Sequence, residues 1–172
     1  AMGTAASDPD DEQWDRMFRT NVDTVRNATM AAVPSLRERE RAAIVNIGAL
    51  GALSGQGSMS AYCCAKSTVM KLTESLSEEL KHDGINVNAV CPGAVYTELM
   101  HRGRPESPDA WRSEIQPWPD RGEPAMIADV AVWLATDEAR FVTGAAVRVD
   151  GGTMAATPRL VELDLPRHER PS

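Results

Sequence analysis

Apolar positions along the chain switch between helical and strand-like spacing. From about residue 10 to residue 40 they recur every three to four positions, which predicts an amphipathic helix that Pro34 kinks. The short apolar run at residues 43–47 is typical of a strand that is covered on both faces. A second stripe at helical spacing spans residues 60–82, and Gly84 ends it.

The remainder of the chain continues this alternation. Strands are predicted at residues 85–91 and 145–149, with a helix at residues 124–136 between them. Residues 98–125 are polar and proline-rich, with tryptophans interleaved. Short apolar strands that alternate with helices predict an α/β fold with a parallel sheet of about three strands and flanking helices.

Tyr62 and Lys66 are the first candidates for chemistry. They are four residues apart at the start of a predicted helix, which places both side chains on one face. A neighbouring ammonium favours the phenolate and is expected to lower the pKa of the phenol towards the range of general acid–base catalysis. Taken alone, such a pair is more often a packed tyrosine beside a solvated lysine.

Several motifs, in order along the chain, carry a resemblance to a known family. They are residues 15–22 (DRMFRTNV), 43–47 (AIVNI), 61–66 (AYCCAK), 86–93 (NVNAVCPG), 141–144 (FVTG) and 147–152 (VRVDGG). Together they resemble the short-chain dehydrogenase/reductase family. The resemblance implies a partial doubly wound, Rossmann-like sheet, with residues 1–152 as the C-terminal portion of such a domain. It also implies a substrate lid at residues 98–125, followed by an extended tail at residues 153–172.

The resemblance also implies a site for a small-molecule carbonyl or alcohol. Tyr62 would be the general acid, Lys66 would lower its pKa and hold a ribose, and Asn21 would position a relay water. NAD or NADP is the implied cofactor. The implied cofactor-binding residues are Tyr62, Lys66, Pro92, Gly93 and Thr97.

Two features depart from the family pattern. No glycine-rich turn of the kind that cradles a dinucleotide pyrophosphate precedes a helix, so the chain as given is expected to bind the cofactor poorly or not at all. Ala49 stands where relatives carry a serine whose hydroxyl polarises the substrate carbonyl. Ser54, Ser58 and Ser60 lie in the same loop and are alternative donors, although serines in such loops more often satisfy turn backbone.

The composition of the chain limits the classes of molecule that it is expected to bind. The chain has 172 residues and a net charge of −7, with a pI near 5.0, which argues against nucleic acid or an anionic membrane. Nothing resembles a signal peptide or a membrane span, and we expect a cytoplasmic protein. The three cysteines lack metal-ligand spacing, so reduced thiols and no metal are predicted.

Three functional hypotheses follow. The first is a nicotinamide-dependent oxidoreductase, impaired in this chain, which lacks the glycine-rich N-terminal half of the family. The second is a cofactor-independent isomerase, cyclase or lyase that uses Tyr62 and Lys66 for proton transfer. The third is a non-catalytic subunit that binds a full-length relative. A sheet of three strands leaves an open edge, so we expect a homo-oligomer or association with a chain that supplies the missing half.

Overall fold

The structure, a computed structural model, describes residue 6, residues 11–98 and residues 116–155. Most of the predicted lid and of the predicted tail therefore lies outside the described residues. The helices are α1 (Asp11–Phe18), α2 (Thr24–Leu36), α3 (Ser60–Glu79) and α4 (Pro124–Leu134). The strands are β1 (Ala42–Ile47), β2 (Ile85–Pro92) and β3 (Ala146–Val149). Short turns are π-helical at Arg19–Asp23 and 3₁₀ at Leu50–Ala52, Lys81–Asp83 and Asp137–Ala139.

The three strands form one parallel sheet in the order β1-β2-β3. Ala42 pairs with Ile85 at one end of the β1–β2 ladder and Ile47 pairs with Val90 at the other. The predicted α/β fold, a Rossmann-like parallel sheet of about three strands, is confirmed. Within the described residues, β2 is the only strand partner of β1 and of β3.

Helices cover both faces of the sheet, and accordingly six of the eight residues of β2 are buried. On one face, α2 and α3 contribute to a core around Leu80, Ile85 and Val87. On the other face, α4 buries Leu134 against Val90 of β2. The loops that connect the strands to the helices begin at the carboxyl ends of the strands.

The N-terminal helical segment differs from the single kinked helix expected over residues 10–40. Its interruption is the π-helical turn at Arg19–Asp23, and Pro34 lies inside α2, in its final turn. The Asn21 side-chain amide donates to the Met17 carbonyl at 2.9 Å. Such local side-chain bonds compete with the regular helical pattern, and π turns are frequent at functional positions.

The junction between α3 and β2 matches the sequence pattern. The helix ends at Glu79, a 3₁₀ turn follows, and Gly84 adopts a left-handed conformation with φ of 69°. A Cβ at this position would lie 3.2 Å from the Glu40 carbonyl oxygen. Both the conformation and the close approach favour glycine.

Candidate functional site

The candidate site lies at the carboxyl edge of the sheet, where β1 and β2 end side by side. Ile47 pairs with Val90, and the Gly48 N–H continues the ladder to the Val90 carbonyl at 2.7 Å. The Lys66 ammonium of α3 donates to the Ile47 carbonyl at 2.9 Å. This bond ties the predicted Tyr62–Lys66 pair to the end of β1.

Tyr62 and Lys66 share a helix face as predicted, but the ammonium does not bind the phenol. Lys66 Nζ lies 5.9 Å from the centroid of the Tyr62 ring. Burial raises the pKa of Tyr62 above its ordinary value of 10.0, and the neighbouring Cys63 adds to the increase. The expectation that Lys66 lowers this pKa is therefore wrong for this structure, because the ammonium is bound to Ile47 and desolvation of the phenol dominates.

This raised pKa predicts a measurable titration. The chain has two tyrosines, so in a Tyr96→Phe variant the tyrosinate absorbance should report Tyr62 alone, with a midpoint above pH 10. Because the folded-state pKa exceeds the unfolded one, its contribution to stability is complete below pH 10 and is lost as the pH rises through the folded pKa. A midpoint below 10 in the folded protein would contradict this environment.

Lys66 has the donors that a ribose diol needs. Burial lowers the pKa of its ammonium, and the nearby Cys91 acts in the opposite direction. An ammonium carries three N–H donors, and within the described residues only the Ile47 carbonyl accepts from it. Two donors therefore remain for neighbouring hydroxyls, so this part of the donor set fits a nicotinamide ribose.

Asn21 lies on the π-helical turn, which packs against α3. Its amide nitrogen lies 2.9 Å from the Met17 carbonyl oxygen and 3.1 Å from the Met17 sulfur. No hydrogen bond joins it to Tyr62 or Lys66 among the described residues. The structure thus brings its helical segment against the helix of the pair without a direct bond between the side chains.

The predicted cofactor-binding turn follows β2. The Gly93 N–H donates to the Val149 carbonyl at 3.0 Å, and a Cβ on Gly93 would lie 2.7 Å from Asp150 Cα. Only glycine allows this approach between the two chain segments. Thr97 is half-buried in the loop beyond this turn.

Position 49 provides no hydroxyl. Ala49 is 7% exposed and lies between β1 and the Leu50–Ala52 turn. Ser54 Oγ lies 3.4 Å from the Leu50 carbonyl, as expected for a residue that satisfies turn backbone. Ser58 is exposed and has a positive φ of 61°. No described hydrogen bond connects either serine to Tyr62.

Cys91 is a neighbour of the site that the sequence pattern identified only as a reduced thiol. It is fully buried at the end of β2, with its sulfur 3.5 Å from the Met70 sulfur. Burial raises the pKa of the thiol, whereas a main-chain hydrogen bond from Ala49 and the charge of Lys66 act to lower it. The sequence did contain a sign that Cys91 lies near the site, because it directly precedes the predicted cofactor-binding residues Pro92 and Gly93. All three cysteines are free; Cys63 is buried like Cys91, whereas Cys64 is exposed.

The described residues offer neither a metal site nor a membrane-spanning helix. They contain no group of three or more histidine, cysteine, aspartate or glutamate side chains placed to hold a metal ion. None of their helices is long and apolar enough to cross a membrane.

The chain is similar in sequence and in structure to known dehydrogenases and reductases. A family model described as "Enoyl-(Acyl carrier protein) reductase" matches residues 2–154. The 2-(S)-hydroxypropyl-CoM dehydrogenase 3 of Xanthobacter autotrophicus is 38% identical over 86% of this chain and 60% of its own length. The inactive 2-(S)-hydroxypropyl-CoM dehydrogenase 2 of that organism is 40% identical over 84% of this chain and 65% of its own length.

Two further proteins extend this comparison. The acetoacetyl-CoA reductase of Shinella zoogloeoides is 37% identical over 82% of this chain and 58% of its own length. The crystal structure of acetoin dehydrogenase from Enterobacter cloacae superposes with a TM-score of 0.81 at 32% identity, over 94% of this chain and 64% of that protein. The chain thus spans about three-fifths of the length of these relatives.

Proposed function

We propose, because this chain belongs to the short-chain dehydrogenase/reductase family, that it is a nicotinamide-dependent oxidoreductase of a small carbonyl or alcohol substrate. The observation that carries the proposal is the bond from Lys66 to the end of β1, which sets the Tyr62–Lys66 pair at the carboxyl edge of the sheet. Ligands of open parallel α/β sheets bind at this edge. The names of the similar proteins, which include reductases and dehydrogenases, support the reaction class.

In this proposal Tyr62 donates a proton to the substrate carbonyl oxygen. The phenol is protonated at neutral pH, as a proton donor must be, although burial raises its pKa away from the range in which general acids are most effective. Lys66 would hold the nicotinamide ribose, and Asn21 would position a water that returns a proton. When bound, NAD(P)H supplies a hydride to the carbonyl carbon.

The remaining cofactor contacts are assigned to the loop after β2. Pro92 and Gly93 would border the nicotinamide, and Thr97 would bind its carboxamide. These assignments follow the family motif, and they are supported by the position of the loop beside the ends of β2 and β3.

Titration of the isolated chain with NADH tests the proposal. Because the sequence has no glycine-rich turn before a helix, we expect a Kd of about 1 mM or weaker, equivalent to a binding free energy of about −4 kcal/mol. Amide chemical-shift changes should nevertheless cluster at Tyr62, Lys66 and Thr97. Micromolar affinity would contradict the expected weakness, and absence of any shift at these residues would contradict the site.

The second part of the proposal is that this chain associates with another polypeptide. Among the described residues the outer edge of β1 has no strand partner, and Ile47 on this strand is 47% exposed. On α4, Val132 and Trp133 are exposed. Unpaired strand edges and apolar patches favour association. We infer a homo-oligomer or a complex with a chain that adds strands to this sheet.

Sedimentation at micromolar concentration tests this assembly. The dominant species should be a dimer or larger. A Val132→Glu variant should shift the distribution towards smaller species if the α4 surface takes part. Gln56→Glu, at an exposed loop position, adds the same single negative charge and is the control. A single monomer peak with cooperative thermal unfolding would contradict the inference.

A cofactor-independent proton-transfer enzyme is the alternative function. Ala49 favours it, because a reductase of this type uses a hydroxyl at that position to polarise the carbonyl. The similarity to a relative named as inactive also favours a non-catalytic subunit. Acetoacetyl-CoA, the substrate class in the name of one relative, serves as the carbonyl probe that separates these functions.

A further inference from the structure

The loop that carries Thr97 is fastened to a second loop through its main chain. Val95 and Gly122 form an isolated parallel bridge, and the Tyr96 N–H donates to the Gly122 carbonyl at 2.7 Å. A Cβ on Gly122 would lie 2.6 Å from the Ala94 carbonyl oxygen, so the two loops approach more closely than any other residue would allow. The conformation just before Thr97 therefore depends on the loop around residue 122.

A side-chain stack reinforces this attachment. The guanidinium carbon of Arg121 lies 3.6 Å from the centroid of the Tyr96 ring. The same guanidinium binds Glu123 Oε1, with Nη2 at 2.6 Å and Nε at 2.7 Å. A planar guanidinium that is held on one side by a carboxylate presents its face to an aromatic ring. Arg121 thus joins the Tyr96 ring to the start of α4, where Glu123 precedes Pro124.

We propose that Arg121 is a positioning residue that holds the loop of Tyr96 and Thr97 in the conformation that receives the nicotinamide carboxamide. The inference rests on the proposed function, since Thr97 is the group that it positions. Arg121 itself does not need to touch the cofactor. Its effect would pass through the stacked ring to the peptide unit between Tyr96 and Thr97.

A purely structural role makes a different prediction from a positioning role. The Arg121–Glu123 pair is partly exposed, with 38% and 37% of the two side chains accessible, and such pairs contribute little to folding stability. If the stack were only a surface contact, its removal would leave the affinity for the nicotinamide unchanged. If it positions Thr97, the affinity falls while the thermal unfolding midpoint changes little.

The test is an NADH titration of the full chain followed by amide chemical shifts. In Arg121→Met, which keeps an unbranched side chain and removes the charge, we expect about two- to fivefold weaker affinity, the range of an exposed to partly buried cation–π contact. Arg121→Lys keeps a cation but loses the planar stacked guanidinium, so its loss of affinity should be no larger than that of Arg121→Met. Arg148→Met, on an exposed position of β3, removes the same charge elsewhere and should leave the affinity unchanged.

The outcomes separate this inference from the proposed function. Absence of any NADH-dependent shift in the unmodified chain would overturn both. A shift at Thr97 with unchanged affinity in Arg121→Met would overturn the positioning role alone. If Arg121→Met does not fold, Tyr96→Leu removes the stack from the other side. The same two- to fivefold loss is then expected, at about the energy of one such contact, and unchanged affinity would again overturn the role.

Discussion

Replacement of Tyr62 by phenylalanine is expected to lower the rate of carbonyl reduction by about 10²–10⁴-fold, the usual contribution of a positioned general acid. Phenylalanine keeps the ring, which packs beside Gly51, where an added Cβ would lie 3.5 Å from the ring carbons. The fold should therefore be retained while the proton donor is lost. The measurement is the rate at which acetoacetyl-CoA is converted to its 3-hydroxy product, at one fixed NADH concentration near the expected Kd of about 1 mM for both chains.

Cys64→Ser is the matched control for this variant. Cys64 is exposed on the same helix and has no role in the proposed site, so the rate should not change. Circular dichroism shows whether Tyr62→Phe keeps its native fold. If the natively folded variant retained the original rate, Tyr62 would not be the acid, and the hypothesis of a non-catalytic subunit would become the better one.

Substitution of Ala49 by serine is expected to act in the opposite direction. Loss of one donor to a developing oxyanion typically costs about 10²–10³ in rate, so restoring the hydroxyl should raise carbonyl reduction by up to that factor. Serine adds one oxygen atom to a side chain that is 7% exposed, on extended backbone next to the β1 end. The measurement is the same assay, with the variant and the original chain compared at equal cofactor occupancy.

Ala52→Ser is the control for this gain. It places a hydroxyl at the end of the same short turn, at a half-buried position, and should not change the rate. If Ala49→Ser folds and leaves the rate of carbonyl reduction unchanged, position 49 does not limit polarisation of the carbonyl. The proton-transfer hypothesis, which needs no hydroxyl at this position, would then be favoured.

Local sequence pattern was sufficient for the main elements of the fold. The spacing of apolar residues alone predicts β1, β2 and α3. Gly84 and Pro92 mark ends that the structure places within three residues of those expected. The π-helical turn was missed because it keeps apolar residues at nearly helical intervals. Within this turn Asn21 donates a local hydrogen bond to the Met17 carbonyl, a detail that the periodicity does not encode.

The electrostatics of the site required tertiary structure. Spacing correctly put Tyr62 and Lys66 on one face, but it could not show that the ammonium binds the Ile47 carbonyl of another element. Desolvation, which raises the pKa of Tyr62, depends on the loops and strands that pack around the ring. The contact between Arg121 and Tyr96 likewise joins two loops that are distant in sequence.

The central claim, that this site transfers a hydride to a carbonyl carbon while Tyr62 supplies the proton, is tested most directly by isotope transfer. The chain is incubated with acetoacetyl-CoA and millimolar NADH that carries deuterium at both C4 positions, and the product is analysed by mass spectrometry. The account predicts one deuterium atom on the carbinol carbon of the 3-hydroxy product, which Tyr62→Phe should form about 10²–10⁴-fold more slowly. Recovery of unlabelled acetoacetyl-CoA alone, from a natively folded chain whose NADH binding has been verified by chemical shift, would contradict it.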